Sequence, residues 1–264
     1  VGGVLETWAG GEAYERYVGR WSRIVATKFV HWLEPARSAR WLDIGCGTGA
    51  LSQTILKEAA PTTVRGEDPS EIHVAYALDH VADPRVSFAV GDALSIAAPD
   101  QPYDYVVSAL VINFIPDPAA ALKQMKGVTS AGGCVAGYVW DYAESMEMMR
   151  FFWDAAIELD PMAAELDEGA RFKMNAPEPL QELWTDTGLT DVKVAPIEIS
   201  MVFNDFDDYW TPFLGGQGPA PGYNMSLDED ARTKLRELLR ERLPQGTDSS
   251  ISLKARAWAV TGTV

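Results

Sequence analysis

The chain has 264 residues, 47% of them hydrophobic, and a formal net charge of −16, which suits one large domain with a substantial core. That acidity, without a Lys/Arg cluster, excludes the basic face of a nucleic-acid binder and disfavours an anionic membrane surface. Two distant cysteines, Cys46 and Cys134, and three histidines offer neither a disulfide framework nor zinc-ligand spacing, so a reducing cytoplasm is the expected compartment.

No apolar run is long enough to cross a bilayer, and "VGGVLETWAGGEAYERY" lacks the basic start and apolar block of a secretory signal. Residues 12–33 carry apolar side chains at helical spacing, stopped by Pro35. "RWLDIG" (40–45) reads as a strand, "ALSQTILKEA" (50–59) as a helix and "TTVRGED" (62–68) as a second strand. "PSEIHVAYALDHV" (69–81) reads as a helix with Pro69 in its first turn. "VSFAVGDA" (86–93) is a third strand, and "YDYVVSALVINF" (103–114) a fourth, continuous and β-branched as in a strand buried on both faces. A helix over 118–129, a turn at Gly132 and Gly133, and a fifth strand, "CVAGYVWDY" (134–142), follow.

Residues 144–172 then predict one or two amphipathic helices rich in Met and aromatics, and 177–188 a helix closed by Gly188. "TDVKVAPIEISMVF" (190–203) is a strand. An aromatic, then Gly/Pro-rich stretch follows, with "GGQGPAPGY" (215–223) as a mobile rim. A helix capped by Ser226 and a last strand over 250–262 end the chain. Alternating strands and helices predict a Rossmann-like α/β fold: seven strands, mostly parallel, the last antiparallel, with helices on both faces. The whole chain, 1–264, is expected to be one domain. Its cofactor-binding core spans 12–142, cap or lid insertions span 143–176 and 204–225, and 177–203 with 226–264 complete the sheet.

The chemistry concentrates in "ARWLDIGCGTGALSQTIL" (39–56). Gly45, Gly47 and Gly49 end the first strand, where open α/β sheets bind ligands, and glycine lets backbone amides approach a ligand closely. Gly45, Gly47 and Ala50 also satisfy the G-x-G-x-x-G/A dinucleotide spacing, with Asp68 where an NAD ribose finds its acid. Against a pyrophosphate stands Asp43, just before the glycines, which attracts an amine and a sulfonium instead. Asp92, in "VGDA", ends the third strand, where an adenine amine can donate to it.

Together these motifs resemble the class I S-adenosylmethionine-dependent methyltransferases of the small-molecule (type 11/25-like) branch, most closely over residues 12–142. The resemblance implies S-adenosylmethionine as cofactor and S-adenosylhomocysteine as product. It places Gly45, Cys46 and Gly47 at the methionine moiety, Asp43 at its amine, and Asp68 on the ribose hydroxyls. Pro69 and His73 fall beside the adenine, and Gly91, Asp92 and Ala93 read it. Ser108 and Ala109 fall where a backbone carbonyl meets the amine, and Tyr14 and Arg20 come from the helix that folds over the cofactor in family members. The sequence departs from the family at Glu67 and His73, positions more often apolar.

Asn113, Tyr138, Trp140 and Asp141 lie at or beyond the carboxyl ends of the fourth and fifth strands, facing the acceptor in such folds. Asn113, Tyr138 and Asp141 are the candidate catalytic residues; Trp140, Trp153 and Trp210 are candidates for an apolar or aromatic acceptor pocket. "SALVINF" is not the N-P-P-Y or D-P-P-Y run of base-amine methylation, and only Asp117 follows the fourth strand, so no metal is expected. The sequence predicts methyl transfer to O, N or C of a small organic acceptor by a monomer or homodimer, without nucleic acid or membrane. A nicotinamide-dependent oxidoreductase and a catalytically silent S-adenosylmethionine-binding module are the alternatives.

Overall fold

The computed structural model describes residues 15–216 and 218–264; Tyr14 lies outside the described residues. The strands are β1 Arg40–Ile44, β2 Thr63–Asp68, β3 Val86–Val90, β4 Tyr103–Ala109, β5 Thr129–Trp140, β6 Thr190–Phe203 and β7 Ile251–Thr263. They form one seven-stranded sheet in the order β3-β2-β1-β4-β5-β7-β6. β1 pairs in parallel with β2 and β4, β2 with β3, and β4 with β5. β7 runs antiparallel to β5, with Tyr138 opposite Ala259. The order 3-2-1-4-5-6 of dinucleotide-binding sheets is absent, because β7 inserts between β5 and β6.

The helices are α1 Arg20–Leu33, α2 Ala50–Glu58, α3 Glu71–His80, α4 Pro118–Gly127, α5 Glu147–Leu159, α6 Glu168–Arg171, α7 Pro177–Asp186, α8 Phe206–Trp210, α9 Pro219–Ser226 and α10 Glu229–Arg242. A π-helical turn, Glu15–Gly19, leads into α1. By packing, the described chain divides into two compact units. One comprises residues 22–140, 174–197 and 257–264; the other comprises 141–173, 198–256 and the described residues up to Trp21.

The first unit holds β1 to β5 and a core of Leu42, Ile44, Val106, Leu122, Val135 and Trp184. Burying such side chains contributes roughly 1.5–3 kcal/mol each before entropy is counted. Trp184 also donates its indole N–H to the Val135 carbonyl at 3.0 Å, so this bulky ring is buried without an orphaned donor. Lys126, next to the helix-weakening Gly127, donates to the Thr187 and Gly188 carbonyls and so caps the end of α7.

The second unit is built on aromatic rings. Phe152 stacks on Phe213 with centroids 4.5 Å apart, and Tyr17, Trp153, Tyr209 and Tyr223 surround that pair. Tyr209 donates its hydroxyl to the Met148 carbonyl at 2.9 Å.

Several local expectations change. Pro69 lies before α3 rather than in its first turn: Ser70 is the N-cap, its hydroxyl accepting from the His73 amide. β4 stops at Ala109 because Leu110 turns left-handed at φ 61°; Asn113 consequently lies in a 3-10 turn, Ile112–Phe114. Gly132 and Gly133 do not end an element. They lie inside β5, whose register with β4 is irregular between Tyr103 and Tyr105. Gly132, at φ 75°, takes a conformation open to glycine. Ser226 is the last residue of α9, and Asp228 caps α10 by accepting from Ala231 N–H. The stretch expected to be a mobile rim is largely α9, with Pro219, Ala220, Pro221 and Tyr223 buried.

Candidate cofactor site

β1 delivers the chain into the glycine turn at the carboxyl edge of the sheet. The Gly45 and Cys46 amides both donate to the Glu67 carbonyl, at 2.7 and 3.0 Å, pinning the turn to β2. Gly45, Gly47 and Gly49 all have positive φ, of 72°, 51° and 85°. They are glycine for different reasons. A Cβ on Gly45 would lie 2.6 Å from a Val111 methyl, whereas one on Gly47 would meet nothing within 4 Å. Gly47 therefore leaves its backbone open on that side. Gly45→Ala is expected to destabilise the protein by roughly 2–4 kcal/mol, from left-handed strain and overpacking. Chemical denaturation reads this loss.

Two carboxylates flank the turn. Asp68 accepts the Gly47 amide on Oδ2 and the Ser70 amide on Oδ1, each at 2.9 Å; His73 Nδ1 lies 3.5 Å from Oδ1. Asp43 is fully buried. Its Oδ2 accepts the Ser52 hydroxyl at 2.7 Å, and its Oδ1 has no partner among the described residues. Burial, with the Asp68 charge adding to it and Ser52 opposing it, pushes the Asp43 carboxyl up to about 7. An anion such as a pyrophosphate is repelled by this pair, whereas a cation supplies what Asp43 lacks. Burial likewise pushes the Cys46 thiol up, so Cys46 is a packing residue of the turn rather than a nucleophile.

Beside the turn opens a cavity of about 210 Å³ lined by Gly45, Pro69, Gly91, Asp92 and Ala93, all expected at the cofactor. Glu67 and Leu94 also line it, and Val111, Phe114, Ile115 and Pro116 give it an apolar wall. Sequence reading missed this wall because it took 103–114 as one strand. Glu67, noted as a departure from the family, bonds Arg65 at 3.1 Å and would meet any side chain placed on Gly91. Asp92 accepts the Leu94 amide at 2.9 Å, which folds the turn after β3. Ser108 Oγ and Asn113 Nδ2 are buried polar atoms with no partner among the described residues, and Ala109 closes β4 beside Tyr138 of β5.

The residues present fit S-adenosylmethionine. They provide a buried acid lacking a countercharge, a second acid at the tip of the neighbouring strand, open glycine backbone, and an apolar-walled cavity that Asp92 helps to line.

The acceptor-side expectations fare differently. Tyr138 is buried and packs against Phe29, centroids 4.7 Å apart. Trp140 is buried and its carbonyl accepts from Asn175 at 2.9 Å. Asp141 was expected to be a base or a holder of an acceptor amine. Asp141 is buried and accepts from Arg256 Nε at 2.8 Å and from the Glu144 amide at 3.0 Å. Asp141→Asn is expected to lower stability by about 1.5 kcal/mol, since it removes one of the two carboxylates that hold Arg256 while Glu144 stays in place, and to leave cofactor affinity unchanged. A thermal melt and a titration check the two halves.

Arg20, Trp153 and Trp210 belong to the aromatic unit. Arg20 Nη1 bonds Asp208 at 2.9 Å, over the Trp21 and Phe203 rings. Trp153 donates to the buried Glu168, whose carboxyl is pushed up to about 7, chiefly by burial. Trp210 stacks with Phe206 and is buried. Neither Glu168 nor Ser52 stood out in the sequence. Among the described residues, no group of three or more His, Cys, Asp or Glu could hold a metal ion, and no helix is long and apolar enough to cross a membrane.

Comparison with known proteins bears on the same core. A family described as "Methyltransferase domain" matches residues 42–133. The chain is 28% identical over 180 residues to the 2-methyl-6-phytyl-1,4-hydroquinone methyltransferase of Synechocystis sp., covering 67% of this chain and 55% of that protein. It is 33% identical over 101 residues to demethylmenaquinone methyltransferase of Staphylococcus aureus, covering 38% and 42%. The chain thus spans about half the length of these curated relatives. Among solved structures, the Haemonchus contortus phosphoethanolamine N-methyltransferase 2 complex with S-adenosylhomocysteine superposes with a TM-score of 0.58 at 20% identity, over 96% of this chain and 56% of that one. The Bacillus subtilis YcgJ protein does so at 0.56 and 16%, over 92% and 98%; at these identities both likenesses speak for the fold. The strand order is that of a Rossmann-like methyltransferase fold, and residues 42–133, which hold the acid-flanked glycine turn, match the methyltransferase domain family.

Proposed function

We propose that this chain transfers a methyl group from S-adenosylmethionine to a small aromatic acceptor of the hydroquinone kind, without a metal. The observation that carries the cofactor half is the glycine turn itself, held by Asp68 and preceded by an Asp43 whose Oδ1 has no partner among the described residues, with a cavity opening beside Gly45. The names of the two curated relatives support the acceptor class.

When bound, S-adenosylmethionine supplies a methyl carbon activated by a sulfonium leaving group. Asp68 would hold the ribose hydroxyls while keeping its bonds to the Gly47 and Ser70 amides, since each carboxylate oxygen accepts more than one donor. Asp43 would face the ammonium. Pro69 and the wall from Val111 to Pro116 would hold the adenine, with Asp92 and the Ala93 backbone at its polar edge. Placement of this kind can supply roughly 7–11 kcal/mol of barrier reduction through orientation, so in-line methyl transfer does not demand a dedicated base. Asn113 and Tyr138 remain candidates for the acceptor side of this unit.

The nicotinamide alternative keeps the G-x-G-x-x-A spacing but loses the sheet order and meets two carboxylates where a pyrophosphate would sit. The test is a mass-detected methyl gain when purified protein and S-adenosylmethionine meet a panel of hydroquinones, phenols and amines. Methylation of hydroquinones supports the proposal; methylation confined to the amines overturns the acceptor class. Cofactor binding with no methylated product supports a silent binding module.

A further inference from the structure

Ser52 lies in the first turn of α2 with its side chain fully buried. Its hydroxyl donates to Asp43 Oδ2 at 2.7 Å, and its backbone N–H also acts on the carboxylate. The other Asp43 oxygen is buried without a partner among the described residues.

A buried carboxylate needs compensation to stay ionised. The titratable groups facing Asp43 are the Asp68 carboxylate of β2 and the Cys46 thiol of the turn; His73 of α3 stands beside Asp68. Neither of the two facing groups is cationic. Burial and Asp68 both favour the protonated acid, and Ser52 alone among these groups favours the charged form.

We propose that Ser52 is a positioning residue of the cofactor site: it holds Asp43 through Oδ2, keeps it ionised, and so leaves Oδ1 to take the ammonium of the methionine moiety. The inference rests on the S-adenosylmethionine reading above and adds a residue to it. Its physical basis is that a hydrogen bond to the charged form of an acid favours that form. With the Asp43 carboxyl near 7, the donor decides how much of the acid is charged around neutrality. A protonated Asp43 offers an ammonium no countercharge.

The test is titration of wild type, Ser52→Ala and Ser52→Thr with S-adenosylhomocysteine across pH, by calorimetry. The ratio of mutant to wild-type dissociation constants cancels the titration of the ligand's own amine. Losing a hydrogen bond to a carboxylate moves its titration up by about one pH unit. Ser52→Ala should therefore bind about tenfold more weakly near pH 6 and within about twofold of wild type near pH 8.5. Ser52→Thr, which keeps the hydroxyl, should follow the wild-type profile.

A Ser52→Ala ratio that is flat across pH overturns the positioning role, because a merely structural defect does not track ionisation; wild-type binding then leaves the cofactor reading standing. A Ser52→Thr profile matching that of Ser52→Ala also counts against the role. Absence of wild-type binding at every pH overturns both the reading and the inference.

Discussion

Replacing Asp68 by alanine is expected to weaken S-adenosylhomocysteine binding by about a hundredfold, roughly 3 kcal/mol. In the proposed cofactor placement it removes two charge-assisted hydrogen bonds to the ribose, each worth about 1.5–3 kcal/mol gross. The same substitution unfastens the site itself, because Asp68 bridges the Gly47 amide in the turn and the Ser70 amide at the head of α3. Asp68→Asn, which retains an acceptor oxygen but not the charge, should fall between the two. Calorimetric titration measures the change. Unchanged affinity in Asp68→Ala would move the ribose to Glu67, the other acid at the end of β2 and one that lines the cavity.

The second large effect joins stability and binding at Asp43. Its carboxyl, near 3.8 when unperturbed, is pushed up to about 7 in the folded protein. The folded state thus holds this proton more tightly than the unfolded chain does. The stabilisation is fully present below about 4 and is lost as pH rises through about 7. Three pH units correspond to roughly 4 kcal/mol at most, and water penetration lowers that figure. Asp43→Asn removes the buried charge, so the ligand-free variant should melt several degrees above wild type near pH 8 and lose that advantage near pH 4. The same variant should bind S-adenosylhomocysteine at least about tenfold more weakly, since the ammonium loses its countercharge. A thermal melt across pH, paired with a titration, reads both. A variant less stable than wild type at pH 8 would contradict the burial argument.

Much of this site was legible in the sequence because parallel strands end on one edge. Once "RWLDIG", "TTVRGED" and "VSFAVGDA" read as consecutive strands, Asp43, Asp68 and Asp92 had to gather at their carboxyl tips, and they do. Pro69, Gly91 and Ala93 followed as their chain neighbours.

What stayed hidden depended on conformations that residue types do not announce. Leu110 takes a left-handed φ that a leucine rarely adopts, so the run 103–114 looked like one strand and the wall from Val111 to Pro116 went unseen. The pairing of Asp141 with Arg256 crosses 115 residues. It exists only because the antiparallel register sets Trp140, which precedes Asp141, opposite Ala257, which follows Arg256. Ser52 was invisible for a different reason: a helical serine is unremarkable until its partner is a buried acid.

The measurement bearing most directly on the cofactor assignment is a pair of calorimetric titrations of the unaltered protein, one with S-adenosylhomocysteine and one with NAD. Saturable single-site binding of S-adenosylhomocysteine, with no heat from NAD, is the predicted result. Binding of NAD with none of S-adenosylhomocysteine would contradict it.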